Sequence, residues 1–125
     1  DVVKFAHEWL LPHLTVTHRL GSIALHPTCS STHLGLNDAL KGLAEAIADE
    51  AYVPLDWGCC AFAGDRGMLH PELNASAAKR EAAEINSRHF DAYASLNRTC
   101  EIGIGRATGK PYVHILELVE QATRP

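Results

Sequence analysis

Two adjacent cysteines stand inside the glycine-rich stretch Asp56-Trp57-Gly58-Cys59-Cys60-Ala61-Phe62-Ala63-Gly64-Asp65-Arg66-Gly67, and they constrain the fold more than any other feature of the chain. Neighbouring thiols cannot both point into one apolar core, and a disulfide between adjacent residues strains the peptide that joins them. The other two cysteines, Cys29 and Cys100, lie far off on either side. A pattern of one, two adjacent and one converges only in a fold that brings three separate turns together.

The segments around the cysteines predict such a fold. Ser22-Ile23-Ala24-Leu25-His26 reads as a short apolar strand, residues 51–55 as a second with Pro54 marking an edge or strand end, residues 91–96 as a third and residues 110–114 as a fourth. The alternating residues 14–18 read as a further short edge strand. Leu36, Leu40, Leu43 and Ile47 recur at helical spacing, with Asn37 or Asp38 as cap. His70-Pro71-Glu72 opens a long alanine-rich helix to about Phe90, with Leu73, Ala77, Ala82 and Ile85 inward. Ile102, Ile104 and Ala107 form a short helix closed by Gly109, and Ile115, Leu116, Leu118, Val119 and Ala122 form a terminal one. Residues 1–11 place Val2, Phe5 and Trp9, with Val3 beside them, on one stripe of a packing helix that Pro12 ends.

Strands alternating with helices predict an α/β fold of three layers: a mainly parallel sheet, right-handed crossovers and helices on both faces. In such sheets the strand-to-helix turns share one edge, the carboxyl ends of the strands, and ligands bind there. Cys29, the Cys59/Cys60 pair and Cys100 each follow a predicted strand by a few residues, so such a fold can bring all four sulfurs to one rim.

The chain has 125 residues, 46% of them hydrophobic and 21% charged, which fits a single domain over residues 1–125. A net charge of −4 without a Lys/Arg cluster argues against a nucleic-acid partner. The apolar runs are far shorter than the roughly 20 residues that span a bilayer. The chain starts at Asp1 rather than Met, so a domain cut from a longer cytoplasmic protein is expected.

Four cysteines admit disulfides, separate thiols or a metal site, and the adjacent pair suits ligation better than bridging. Structural zinc comes in Cys-x₂₋₄-Cys knuckles, which are absent here, whereas an iron–sulfur cluster takes adjacent cysteines on different irons. Backbone N–H groups of Gly58, Gly64 and Gly67, and helix N-termini after Cys29 and Cys100, suit a negatively charged centre. No Gly-Lys-Ser/Thr follows the loop, so it is not a Walker phosphate cradle. His26, His33 and His70 flank the cysteine segments as turn or cap residues, with a contact to sulfur or iron as the sharper alternative. Asp65 and Arg66 read as an exposed salt bridge or docking contact, and Glu45, Glu50, Glu81 and Glu84 as solvated helix faces.

Three stretches carry a resemblance: His26-Pro27-Thr28-Cys29, Gly58-Cys59-Cys60-Ala61-Phe62-Ala63-Gly64-Asp65 and Ser95-Leu96-Asn97-Arg98-Thr99-Cys100-Glu101. Their order and wording resemble the cysteine-rich CCG domain at the carboxyl end of FAD-linked, iron–sulfur-containing D-lactate dehydrogenases and glycolate-oxidase-type proteins, from about Ser22 to the end. The resemblance implies that Cys29, Cys59, Cys60 and Cys100 hold a [4Fe–4S] cluster. It further implies that FAD sits on a separate domain of the same or a partner chain, where a 2-hydroxy acid is oxidised. Electrons then pass through the cluster to a quinone or cytochrome, at the inner face of the cytoplasmic membrane through its partners. Two positions depart from the family pattern: Ala61 stands where the family has Gly, and Asn97 where it often has the first cysteine of a final Cys-x-x-Cys. The chain has no Gly-x-Gly-x-x-Gly and no candidate triad, so the domain alone is not expected to be catalytic. The competing expectation is a structural or interaction domain with a Cys₄ zinc site or no metal.

Overall fold

Strand β1 (Leu20–Leu25) is the centre of the architecture. In the computed structural model, which describes residues 1–55, 57 and 69–125, it pairs in parallel with β2 (Ala48–Tyr52) on one side and β3 (Ala92–Ser95) on the other. Strand β4 (Tyr112–His114) pairs in parallel with β3, which gives the order β2-β1-β3-β4. Ile23, Ala24 and Leu25 are all buried, so β1 is covered on both faces, as a parallel sheet requires.

Alternate residues feed two cores. On one face Ile23, Leu25 and Ala94 pack with α3 (Asn37–Ile47), α7 (Ile115–Ala122) and the amino-terminal α1 (Val2–Phe5) with the turn that follows it. On the other, Ala24, Tyr93 and Tyr112 pack with Phe90 and with α5 (Lys79–Asn86) and α6 (Arg98–Thr108). Two short helices, α2 (Cys29–His33) and α4 (Pro71–Ala77), complete the described elements. The layers are thus helix, sheet and helix, as the alternation predicts. The crossover to β2 runs over the first face and those to β3 and β4 over the second, so the winding reverses between β1 and β3. In sheets of this kind ligands bind at such a reversal, at the carboxyl ends of the two strands.

Several elements differ from expectation, each for a physical reason. The first helix passes from α1 into a π turn (Ala6–Leu10) and a 3₁₀ turn (Leu11–His13). It buries Val3 and Ala6, while Val2, Phe5 and Trp9 stay exposed, Trp9 by 65%. The small face wins because the helix comes very close to α3: a side chain at Gly42 would run into the His7 ring. Residues 14–18 are not a strand; the backbone N–H groups of Thr17 and His18 both donate to the carbonyl of Ala122 instead.

Strand β2 starts at Ala48, three residues before the predicted position. Its Asp49 and Glu50 disguise it, since they are edge-strand charges that pair with Arg19 (2.7 Å) and with Arg88. Asn37 caps nothing at α3; its side chain accepts from Ser31 Oγ (2.6 Å) and donates to Thr32 Oγ1 (2.9 Å), joining α2 to α3. The long helix breaks at Ala78 (φ −92°, ψ 1°), which lets α5 turn Ala78, Ala82 and Ile85 onto the sheet and leaves Leu73 and Ala77 outside. Helix α6 begins at Arg98 and ends at Gly109, whose φ of 72° is the left-handed closure that glycine adopts freely.

Leu43 is fully buried between α3 and the sheet, so Leu43→Ala is expected to lower stability by about 2–5 kcal/mol in urea unfolding. Trp9→Ala, on the exposed stripe, is expected to change it by no more than about 0.5 kcal/mol.

Candidate functional site

Beyond β1 the chain runs through His26 and Pro27 to Thr28, the N-cap of α2. Thr28 Oγ1 accepts from the Ser31 amide (2.9 Å) and Ser31 Oγ from the Thr28 amide (2.9 Å), a reciprocal capping box. Cys29 is the first residue of α2 and is exposed. Beyond β3 the chain does much the same. Asn97 is the N-cap of α6; its side chain accepts from the amide (3.1 Å) and the hydroxyl (2.8 Å) of Thr99, and Cys100 follows, half-buried.

Because β1 and β3 are adjacent and parallel, Cys29 and Cys100 stand on neighbouring turns at the carboxyl edge of the sheet. Cys100 also lies in the first turn of an eleven-residue helix, a position that favours negative charge. Cys59 and Cys60 lie outside the described residues, as do Gly58, Ala61, Gly64, Asp65, Arg66 and Gly67. Among the described residues no three His, Cys, Asp or Glu side chains converge on a point that would hold a metal ion.

The rim is stitched together at His26. Its amide donates to the Ala94 carbonyl (2.9 Å), and its own carbonyl accepts from Ser95 Oγ (2.7 Å), so the β1–β3 pairing runs one residue past the strand. Its ring Nδ1 lies 2.6 Å from Glu81 Oε2 of α5, with the two side chains 1% and 2% exposed. His26 is therefore a buried member of an acid–imidazole pair rather than a turn or cap residue, and Glu81 is not a solvated helix face.

Glu84, one turn further along α5, also departs from that expectation. Its Oε2 accepts from the Leu55 amide (2.9 Å) and from the Tyr52 hydroxyl. A signal for Glu81 was available, since it falls on the inward stripe of Ala78, Ala82 and Ile85. Glu101, beside Cys100, is a second buried carboxylate and lies 3.3 Å from the exposed Arg98. No spacing rule flagged it. His33 is exposed at the end of α2, and His70 is exposed 3.4 Å from Glu72.

Two tyrosines respond to these carboxylates. The Tyr52 phenol is pushed up by its hydrogen bond to Glu84. The Tyr112 phenol, at the far end of the same face, is pushed well above its usual range by burial first and by Glu81 second. Its hydroxyl has no hydrogen-bond partner among the described residues.

The sequence matches no protein-family model and no curated protein, so function is argued from the rim itself. No helix among the described residues is long and apolar enough to cross a membrane.

The raised Tyr112 phenol has a pH consequence. Above about pH 10 the unfolded chain releases this proton while the folded chain keeps it, so stability from this group is complete below pH 10 and falls as pH rises beyond. Tyr112→Phe removes a buried, unpartnered hydroxyl and is expected to raise stability at neutral pH by about 1 kcal/mol. Urea unfolding followed from pH 8 to 11 should also show a shallower alkaline loss in the variant.

Proposed function

We propose that the chain is an iron–sulfur electron-transfer domain of the CCG type, working beside a flavin domain that oxidises a 2-hydroxy acid of the D-lactate or glycolate kind. One observation carries the reading. Cys29 and Cys100 occupy equivalent posts, each in the first turn of a capped helix after adjacent parallel strands, at the edge where such sheets bind ligands.

These two residues fit the group chemically. Both are thiol donors outside the two buried clusters, on helix starts whose backbone is capped by protein side chains. Cys59 and Cys60 complete the donor set in this reading. A bound [4Fe–4S] cluster supplies one-electron capacity, its potential set by net charge, hydrogen bonds to sulfur and exposure. The chain's own part is to hold the four thiolates, to hold buried carboxylates near them, and to leave one edge of the cluster open to partners. The exposure of Cys29 suits close approach of a flavin domain on one side and of a quinone or cytochrome acceptor on the other. A cytoplasmic setting, at the inner membrane face through those partners, belongs to the same reading.

The test is anaerobic reconstitution of the chain with iron and sulfide, read by metal and sulfide content and the visible spectrum. Stoichiometric iron and sulfide with broad visible absorbance are expected, and a colourless chain loaded with one zinc would sink the proposal in favour of a structural zinc domain. Replacing Cys29, Cys59, Cys60 or Cys100 by Ser is expected to reduce iron uptake while circular dichroism keeps the parent shape. At the exposed Cys29 the cost in stability should be within about 0.5 kcal/mol. The chain alone should not oxidise D-lactate. Adding substrate and the flavin-bearing domain should bleach the visible absorbance, and a spectrum unchanged while the flavin is fully reduced would refute the relay.

A further inference from the structure

Helix α5 meets the rim that bears Cys29 and Cys100 through one residue. Glu81 holds the His26 ring, and the His26 peptide joins β1, which leads to Cys29, to β3, which leads to Cys100. Three residues further on, Glu84 takes the amide of Leu55, the last described residue before residue 56 on the entry side of that stretch. The two carboxylates thus reach from one helix to the chain before the cysteine pair and to the rim that bears the other two.

This helix turns mostly small residues inward. Its inward stripe is Ala78, Ala82 and Ile85, and small side chains leave few ridges to lock a helix in one register. A buried hydrogen-bonded ion pair adds little net stability compared with apolar residues of like volume, but it is directional, and setting register is its best-attested use.

Building on the iron–sulfur reading, we propose that Glu81 and His26 are positioning residues. Their bond sets α5 against the rim of Cys29 and Cys100, while Glu84 ties the same helix to the chain that leaves β2 at Leu55. Neither residue is needed as a ligand for this role.

The experiment compares the 125-residue parent with three variants: Glu81→Leu, Glu81→Gln and the double variant His26→Leu/Glu81→Met. The metal-free chains are unfolded in urea, then reconstituted anaerobically with iron and sulfide and examined after dithionite reduction by electron paramagnetic resonance. Glu81→Leu leaves His26 buried opposite an apolar group and is expected to lose both stability and iron uptake. Glu81→Gln keeps an acceptor for the ring N–H and is expected to restore uptake and the parent resonance line. The double variant is the decisive one. Its urea midpoint should return to that of the parent, while apparent affinity for iron stays lower by roughly 10- to 100-fold, as when the residues that orient metal ligands are changed, and the resonance line broadens or shifts.

A double variant that matches the parent in uptake and in resonance line would overturn the inference and leave the pair a packing feature, with the electron-transfer reading intact. A parent that takes up no iron and sulfide would instead overturn that reading and the positioning role together.

Discussion

The hydrogen bonds that carry β1 past its last residue onto β3 govern the rest of the molecule. A parallel pair needs both strands covered on both faces, and β1 is flanked by β2 and β3 and sealed above and below. At the carboxyl end, the His26 amide and carbonyl would be buried polar groups without partners if the chain simply turned away. Ala94 and Ser95 satisfy them, and Ser95 is fully buried in doing so. The two strands therefore leave the sheet as one unit. Thr28 and Asn97 then start helices from turns whose spacing is already set, which makes the rim a consequence of strand pairing rather than of loop conformation.

The two faces solve the packing problem differently, and the difference decides which side carries the polar site. One is aliphatic, with Leu40, Leu43, Ile47, Ile115 and Leu118 of two strongly amphipathic helices over Ile23 and Leu25. The other is aromatic: Tyr52, Phe90, Tyr93 and Tyr112 follow one another across the sheet with ring centroids 5.4, 5.9 and 5.4 Å apart. Arg88, bonded to Glu50, lies 4.5 Å over Phe90 and closes the open end. Rings of that size fill the space under α5, so the helix must present alanine. Alanine in turn leaves room for Glu81 to reach between the rings and the rim to His26. Bulky residues on the sheet and a small-residue helix with two long carboxylates are parts of one arrangement.

The layer order and the sheet type were legible because they rest on periodicity, which the chain carries clearly in Leu36, Leu40, Leu43 and Ile47 and in the apolar run of β1. Boundaries failed where tertiary contacts override local pattern. In β2, charges on an exposed edge look like loop residues until Arg19 and Arg88 are placed against them. The stripe of Val2, Phe5 and Trp9 was misassigned because hydrophobicity alone cannot show that close approach at Gly42 requires the small face. At the site, Cys29 and Cys100 could be assigned to one edge from chain order, since each follows a strand. The inward stripe of α5 points to Glu81 but not to its partner, because His26 lies 55 positions away.

Asn97 shows how the rim divides fold from chemistry. Its side chain takes the Thr99 amide at the start of α6, a capping role that suits asparagine. With Thr28 and Ser31 capping the other helix, each of these starts has a protein acceptor. Neither core contains a cysteine among the described residues. Cysteine is ordinarily among the residues most often buried, so two of them held outside both cores, beside adjacent strand ends, are poorly explained by packing.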